Sequence, residues 1–340
     1  MYQIIYIFYN IIIKFERGTK FMEKKYEFTN ETKVLGHRTL HRIRALKDFG
    51  DVHKGDLGGW LEKESNLSHE GTCWVSDNAA VYDEACVDGS AKVGERASVF
   101  DSAYVSGNAK VYGAAMVSGN ARVYDNAEVS DCARVTGDSM VYGDAWVFSS
   151  AYIFDNARIY KDAQIYDDSM VYGDAVISDD AKVYGNAQVY DDAFIGDTAE
   201  VYEKASLGGN AKVYGNAQVY GNAQVLDDAQ VYSNAWVSGE ASIRGTAEVY
   251  GNAWVYEKAS IEGTAKVYDE AKVRGNAKVY GNAQVYGNAR VLYDARISDD
   301  AQVYGNAWVL DDVSIRGNAK VYGTARVYDD AQVCGNARVL

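Results

Sequence analysis

Small and aliphatic residues alternate with polar ones in a six-residue pattern that runs from Cys73 to the end of the chain. Its commonest form is Ala-x-Val-Tyr-Gly-Asn, and all 45 occurrences of the Val position hold Val, Ile or Leu. The position two residues earlier is Ala in 41 of 45 units, the exceptions being Cys73, Ser139, Ser169 and Val313. No residue is inserted or deleted in this stretch. The pattern therefore indicates a single repeated structural unit.

Each unit predicts a short strand followed by a corner. Side chains on a strand alternate between its two sides, so Ala and Val share the inner side. The residue between them and the Tyr after Val point outward. The next two residues are mostly Gly, Asn or Asp, which tolerate left-handed backbone and form turns. One such strand cannot bury its Ala and Val alone, whereas stacked coils can, so the chain is predicted to be a solenoid.

Three sets of side chains recur at every third unit or at multiples of that interval, which predicts three units per coil. A coil of two units would split all three sets. They are a Trp column (Trp74, Trp146, Trp236, Trp254, Trp308), large core aliphatics (Ile153, Leu207, Ile243, Ile261, Ile297, Ile315) and a Tyr ladder (Tyr214, Tyr232, Tyr250, Tyr268, Tyr286, Tyr304, Tyr322). About 15 coils stacked ~4.8 Å apart would form a three-sided prism about 72 Å long, with one set on each side.

The repeat resembles a known family of sequences. Residues 213–218, Val-Tyr-Gly-Asn-Ala-Gln, match the hexapeptide repeat of left-handed β-helix proteins. Together with segments 41–46 (His-Arg-Ile-Arg-Ala-Leu) and 54–60 (Lys-Gly-Asp-Leu-Gly-Gly-Trp), the repeats resemble YdcK-like β-solenoid proteins of bacteria and their phages. The resemblance implies an all-β, single-stranded, left-handed parallel β-helix, triangular in section, with 18-residue coils and a small N-terminal cap. The left hand is implied by the resemblance alone.

The chain therefore divides into three regions. Residues 1–21 are interpreted as a translated leader or short apolar extension, 22–72 as an N-terminal capping region and 73–340 as the β-helix. Residues 1–13 are too short to span a bilayer, which takes about 20 residues, and they lack the marks of a signal peptide. Arg17-Gly18 can be encoded by a purine run like a ribosome-binding site, so translation is expected to start at Met22. A short membrane-surface anchor is the alternative.

Residues 22–72 have balanced charge and contain alternating runs at 26–29 and 39–46. A solenoid needs a cover over the apolar core and open strand edge of its first coil, and this region is expected to supply it. A docking role is the alternative, and it would use His37, Arg38, His41, Arg42 and Arg44.

The repeats lack the chemistry of the enzymes that they resemble. Hexapeptide acyltransferases use a histidine base near a cleft between coils and usually a loop that interrupts the helix. The four histidines, His37, His41, His53 and His69, all precede the repeats. A general base must reach the substrate's proton, and the zinc site of γ-type carbonic anhydrases needs three histidines. We therefore assign no catalytic, cofactor-binding or metal-binding residue, and enzyme activity is not expected.

Carboxylates cluster at the corners, where two interpretations stay open. The pairs are Asp167-Asp168, Asp179-Asp180, Asp227-Asp228, Asp311-Asp312 and Asp329-Asp330. They could bind cations, which need several converging oxygens. The favoured interpretation is that they satisfy corner backbone groups and keep the body in solution. Cysteines 73, 86, 132 and 334 lack the spacing of a zinc site or a disulfide framework, so a reducing, cytoplasmic location is expected.

Composition and charge narrow the partners. Residues 73–340 hold 22 basic and 38 acidic residues, and the whole chain has a net charge of −14, which argues against nucleic acid. The sequence also predicts no transmembrane segment. The chain contains no proline, as expected where nearly every strand N–H is needed by a ladder. Proline at Val219 should break the stack, while proline at Val339 should be tolerated.

We expect a non-enzymatic structural or interaction protein, a rigid acidic rod. Its partner-binding surface would be the Tyr ladder with Trp236, Trp254 and Trp308, used for self-association or for another protein. Self-association could be lateral, or end-to-end through an open last coil, unless the chain is a truncated form of a longer protein. The same aromatics equally fit packing between neighbouring coils. The alternatives are an acyltransferase-like enzyme, by resemblance a trimer, and a phage-particle or carbohydrate-binding component.

Overall fold

The computed structural model describes residues 23–340, so the interpretation of residues 1–21 and of Met22 lies outside the described residues. From Trp74 onward each strand pairs in parallel with the strand three units later, as in Gln218 opposite Trp236 and Val219 opposite Val237. The predicted all-β solenoid with 18-residue coils is therefore confirmed. Within residues 23–340, no helix has the length and apolar character needed to cross a membrane.

The coils build three parallel sheets, which we call faces 1, 2 and 3, from strands of two residues each. Face 1 consists of Trp74–Val75, Lys92–Val93, Lys110–Val111, Glu128–Val129, Trp146–Val147, Gln164–Ile165, Lys182–Val183, Glu200–Val201, Gln218–Val219, Trp236–Val237, Trp254–Val255, Lys272–Val273, Arg290–Val291, Trp308–Val309 and Arg326–Val327. Face 2 consists of Ala80–Val81, Ser98–Val99, Met116–Val117, Arg134–Val135, Tyr152–Ile153, Met170–Val171, Gln188–Val189, Ser206–Leu207, Gln224–Val225, Ser242–Ile243, Ser260–Ile261, Lys278–Val279, Arg296–Ile297, Ser314–Ile315 and Gln332–Val333. Face 3 consists of Cys86–Val87, Tyr104–Val105, Arg122–Val123, Met140–Val141, Arg158–Ile159, Val176–Ile177, Phe194–Ile195, Lys212–Val213, Gln230–Val231, Glu248–Val249, Lys266–Val267, Gln284–Val285, Gln302–Val303, Lys320–Val321 and Arg338–Val339.

The core is a continuous column of the inward Ala and Val positions. Both are fully buried through the middle of the solenoid, as at Ala217 and Val219. The serines in the Ala position are also buried, and each has a hydrogen-bond partner. Ser139 Oγ donates to the Thr136 carbonyl at 2.7 Å, and Ser169 Oγ donates to the Tyr166 carbonyl at 2.8 Å. These serines therefore fit because each satisfies its hydroxyl within its own corner.

In each six-residue unit, the last two residues, which follow the outward residue after Val, form a corner. We call these corner 1, after face 1 (residues 77–78 in the first coil), corner 2, after face 2 (83–84), and corner 3, after face 3 (89–90). The first corner residue has positive φ, as at Asp227 (62°) and Gly275 (77°). Neighbouring coils also approach closely here, because a Cβ on Gly275 would lie 2.7 Å from the Tyr293 backbone. Gly fits this position for both reasons, whereas Asp fits because it tolerates positive φ.

Three antiparallel strands adjoin the first coil. They are β1 (Tyr26–Leu35), β2 (Arg38–Ala45) and β3 (Leu57–Leu61), and a 3-10 helix follows at Glu64–Asn66. The β3 strand continues face 2 in parallel, with Trp60 opposite Ala80. Leu67 pairs with Val87 of face 3, and the Phe49 ring lies 5.4 Å from the Trp74 ring of face 1. All three faces of the first coil are thus in contact with this region.

A buried lysine ties the same region to the first coil. Lys25 is fully buried, and its Nζ donates to the carbonyl of Cys73 at 2.9 Å and to that of Glu70 at 3.1 Å. Cys73 Sγ lies 3.0 Å from the same nitrogen. Three partners in a closed pocket compensate part of the cost of burying the ammonium group.

Candidate interaction surface

The Tyr ladder runs along face 3 with its rings stacked. From Tyr214 to Tyr322, successive ring centroids lie 4.8–5.2 Å apart and successive ring planes differ by at most 9°. The flat sides of each inner ring are covered by the rings one coil before and one coil after. Solvent therefore meets the ring edges, and only the end rings of the ladder have a flat side without a tyrosine neighbour.

The ladder hydroxyls point along face 3 to the next coil. Tyr214 Oη donates to Gln230 Oε1 at 3.3 Å, Tyr232 Oη to Glu248 Oε2 at 2.9 Å and Tyr268 Oη to Gln284 Oε1 at 3.3 Å. Burial, followed by the hydrogen bond to Glu248, raises the pKa of Tyr232 well above its usual value. Tyr232 therefore keeps its proton at physiological pH.

The Trp column on face 1 is mixed with cations. Trp236 and Trp254 stack with centroids 4.9 Å apart, and Lys272 Nζ lies 4.8 Å from the Trp254 ring centre. The guanidinium carbons of Arg290 and Arg326 lie 4.5 and 5.6 Å from the Trp308 ring centre. Such contacts stabilise a cation next to an aromatic face by about 0.5–1 kcal/mol at exposed sites.

The two columns flank the same corner. In each coil the chain passes from a ladder Tyr through two corner 3 residues and one Ala to the outward residue of face 1, as in Tyr286-Gly287-Asn288-Ala289-Arg290. We call this surface the Tyr–Trp ridge. It comprises the seven ladder tyrosines, corner 3 between them, and the face 1 side chains Trp236, Trp254, Lys272, Arg290, Trp308 and Arg326.

The ridge differs in charge from the rest of the acidic solenoid. Among its corner residues from 233 to 324, only Asp269 and Glu270 are charged, and the others are Gly, Ser, Asn or Thr. Asn side chains bridge the coils along it, as where Asn216 Nδ2 donates to Asn234 Oδ1 at 2.9 Å. In the part of the chain that the structure describes, the ion pairs nearest the ridge use other cations, such as Lys266 with Glu248 and Arg274 with Glu257. The three ridge cations therefore face solvent and tryptophan rather than carboxylates.

Two members of the Trp column lie away from this ridge. Trp74 is only 6% exposed, because the Phe49 ring lies against it. Trp146 is 49% exposed and lies next to Phe148, with ring centroids 6.4 Å apart. The common spacing of the tryptophans thus identifies a common column but not a common environment.

Further aromatic ladders were not predicted from the sequence. Face 1 carries a stack of five rings from Phe148 to Tyr220, and face 3 a stack from Tyr124 to Tyr160. Face 2 carries Phe154, Tyr172 and Tyr190. The sequence contains the signal for these ladders. Aromatic residues that follow Val recur at every third unit on all three faces, and not only on face 3.

The arginines of residues 22–72 that could serve in docking form ion pairs within the chain. Arg38 lies 2.5 Å from Asp83 Oδ1, Arg42 lies 3.7 Å from Glu31 Oε2, and Arg44 lies 2.5 Å from Glu27 Oε1. Arg42 also lies 5.5 Å from the ring centre of Trp60. These contacts hold β2 against its neighbours.

The corner carboxylates accept backbone hydrogen bonds from the next coil. Asp227 Oδ2 accepts from the Gly245 N–H at 3.0 Å, and Asp167 Oδ2 accepts from the Gly185 N–H at 3.1 Å. Among residues 23–340, no group of three or more His, Cys, Asp or Glu side chains is placed to hold a metal ion. The described geometry thus gives these aspartates a structural partner one coil away.

Comparison with known proteins agrees with this architecture. The family model for the YdcK β-solenoid repeat matches residues 163–179 and 283–299. A protein of Escherichia coli (strain K12), named "uncharacterized acetyltransferase YdcK", is 29% identical over 90 residues, which cover 24% of this chain and 28% of that protein. The match thus spans under a third of the relative's length. The chain is therefore a β-solenoid protein whose repeats are similar to those of YdcK.

Proposed function

We propose that the chain is a non-enzymatic structural or interaction protein, a rigid acidic rod whose Tyr–Trp ridge is a contact surface for self-association or for another protein. The observation that carries this proposal is the ridge itself. It combines partly exposed tryptophan, ordered tyrosine edges and cations that face tryptophan, on a chain of net charge −14. Aromatic residues and arginine are enriched at protein interfaces, whereas lysine and acidic residues are depleted.

The stacking geometry favours a protein partner over a carbohydrate. Sugar rings bind to the flat sides of aromatic rings, and along the ladder those sides are covered by neighbouring tyrosines 4.8–5.2 Å away. Trp254 is likewise covered by Trp236 and approached by Lys272. A partner would meet ring edges, hydroxyls and cations, which suits a protein surface that carries carboxylates.

Oxidative footprinting tests this proposal. Side chains of the protein would be labelled with hydroxyl radicals at low and at high concentration, and their oxidation measured by mass spectrometry. We expect Trp254, Trp308 and the ladder tyrosines to become protected at high concentration. Tyr328, which is 56% exposed on the other side of face 1, is the internal control. Equal oxidation of both sets at every concentration would contradict self-association through the ridge.

An acyltransferase is the second candidate, and the relative named as an acetyltransferase is the observation that favours it. The place for a ligand would be the open cavity between the capping region and face 1, lined by Asp51, Asp56, Leu57, Trp74 and Lys92. Calorimetric titration with acetyl-CoA distinguishes the candidates. The rod proposal expects no saturable binding, and saturable binding that is lost in Lys92→Ala would favour the enzyme.

We further propose that residues 22–72 cap the solenoid and that the protein acts in the cytoplasm. The cap is supported by the contacts of β3, Leu67 and Phe49 with the first coil. The location is supported by four free thiols, which suit a reducing compartment.

A further inference from the structure

We propose that two copies of the chain pair antiparallel through face 3, with ridge cations of each copy against a row of aspartates on the other. This inference rests on the proposed function, because it names a second copy as the ridge's partner. It adds the partner surface, the relative direction of the two rods and their register.

The partner surface is an acidic row at corner 2, on the opposite rim of face 3. It consists of Asp138, Asp155, Asp174, Asp191, Asp192, Asp227 and Asp228, all of which are exposed. Within the described residues, the ion pairs of the same coils use other carboxylates, such as Glu128, Asp179 and Glu200. Asp155 and Asp191 each use one oxygen to accept a backbone N–H, from Gly173 at 3.2 Å and Gly209 at 3.0 Å. The other oxygen of each remains available to a partner.

The spacing of the two sets indicates their direction. Along the ridge the cations are Lys272, Arg290 and Arg326, separated by one coil and then by two coils. Along the acidic row, Asp192, Asp174 and Asp138 are separated by the same one and two coils in the reverse order. Because all coils have the same length, the two sets have equal axial intervals when one rod is turned end over end. An antiparallel pair therefore brings every cation to the level of an aspartate.

The ridge and the acidic row also lie on opposite rims of face 3, as a symmetric antiparallel dimer requires. The ridge runs along one rim of face 3 from Tyr214 to Arg326, and the acidic row runs along the other rim from Asp138 to Asp228. A two-fold axis through face 3 near Gln230 exchanges both the rims and the halves. The same contact then forms twice, which is the isologous arrangement of most dimers.

The middle of face 3 supplies a further contact under the same operation. The two-fold rotation places the Tyr ladder of one copy over the outward strand residues in the first half of face 3 of the other copy. These include Met140, Val176 and Phe194, which are half-buried in the single chain, and the exposed Arg158 and Lys212. The contact between the rims is therefore partly apolar and partly basic, with the ridge cations and the acidic row at its edges. Asp269 and Glu270 oppose this pairing, because they lie at the level of Asp191 and Asp192 of the second copy.

Charge reversal with rescue tests the inference, with sedimentation equilibrium as the readout. We expect Arg290→Glu with Arg326→Glu to weaken the dimer by more than about tenfold in Kd, because like charges then meet at both rims. Adding Asp138→Arg and Asp174→Arg to the same chain should restore it. Arg296→Glu, an exposed cation near corner 1 on the far side of the rod, is the matched control and should leave the dimer unchanged. Circular dichroism would verify that each variant is folded.

A chemical cross-link near the two-fold axis tests the register independently. In a chain with Cys86→Ser, Cys132→Ser and Cys334→Ser, Gln230→Cys should be joined to the same residue of the second copy by a short bismaleimide, because the two thiols are then offset by roughly 7 Å along the strands. Gln302→Cys, on the same column of face 3 but four coils away, should not. Neutralising Asp269 and Glu270 with Asn and Gln should strengthen the dimer.

The outcomes separate this inference from the proposed function. A chain that associates with ridge protection but is insensitive to charge reversal, or that cross-links at 302 and not at 230, would overturn the antiparallel register and leave the rod's contact surface standing. A chain that stays monomeric at every concentration would overturn the register and self-association together. Loss of the dimer on charge reversal, with recovery in the rescue variant, would support both the antiparallel register and self-association through the ridge.

Discussion

At the scale of single residues, the corners explain the chain's high content of Gly, Asp and Asn. The first corner residue has positive φ, which Gly adopts freely and Asp tolerates. Where Asp occupies it, as at Asp227, the carboxylate accepts the N–H of the equivalent residue in the next coil. The favoured interpretation of the aspartates followed from residue types, but their common partner one coil ahead was visible only in the structure.

Substitutions at Asp227 test this role. Asp227→Ala removes the acceptor for the Gly245 N–H and places a Cβ-bearing residue without local compensation at a φ of 62°, so we expect a loss of about 1–2 kcal/mol in the free energy of unfolding. Asp227→Asn keeps an acceptor oxygen and should cost less. Chemical denaturation with and without EDTA would measure both. A cation site would instead show stabilisation by Ca²⁺ that EDTA reverses.

The stacked tyrosines predict a loss of stability in alkali. Burial, followed by repulsion from Tyr220, raises the pKa of Tyr202 to about 12 from 10.0. Below pH 10 both folded and unfolded chains hold the proton, so stability does not change. Between pH 10 and about 12 the unfolded chain releases protons that the folded chain keeps, so stability falls as pH rises.

Thermal unfolding measured across that pH range would show this effect. Replacing Tyr184 and Tyr202 by Phe keeps the stacked rings and removes two hydroxyls whose pKa values are raised by burial, so the pH dependence of stability should become shallower. An equally steep dependence in the Phe variant would mean that other groups cause the alkaline loss.

At the scale of elements, two-residue strands are stable only because each coil repeats the last. The columns of equivalent residues were sufficient to predict the three faces, since side-chain alternation and stacking depend on sequence spacing alone. The strands before the first coil were less predictable. β1 continues beyond the alternating run at 26–29 to Leu35, because β2 pairs with it across a register shift between Phe28 and Thr32. Such pairing depends on contacts between residues distant in sequence, and the alternation of apolar and polar residues within one strand does not predict them.

Proline in a central strand should interrupt the parallel hydrogen-bond ladder of the solenoid. The Gln218 N–H donates to the Ala235 carbonyl at 3.0 Å, so Gln218→Pro leaves that carbonyl without its donor between two coils. We expect a loss of about 1–3 kcal/mol or more, with exchange of the amides of adjacent coils accelerated. Gln218→Ala removes the same side chain but keeps the N–H and is the control. Equal hydrogen–deuterium exchange in both variants would show that the ladder tolerates the missing donor.

At the scale of the whole molecule, charge is distributed so that one long rim differs from the others. The ridge was only partly predictable. Its two aromatic columns followed from their regular spacing, but their position on either side of one corner, and the cations between the tryptophans, required the order of the faces. The acidic row lies across face 3 from the ridge, so both rims of one face carry complementary groups. Pairing through exposed charges should weaken as salt screens them.

The central claim is that the chain self-associates through the Tyr–Trp ridge. Sedimentation equilibrium of the wild-type chain, compared with Trp254→Ser combined with Trp308→Ser, tests it most directly. If the claim holds, the wild-type mass rises with concentration and falls with added salt. The double variant should associate more weakly, while Tyr328→Ser should behave as the wild type. A mass that remains that of one chain at every concentration and salt, or association that the double variant leaves unchanged, would contradict the claim.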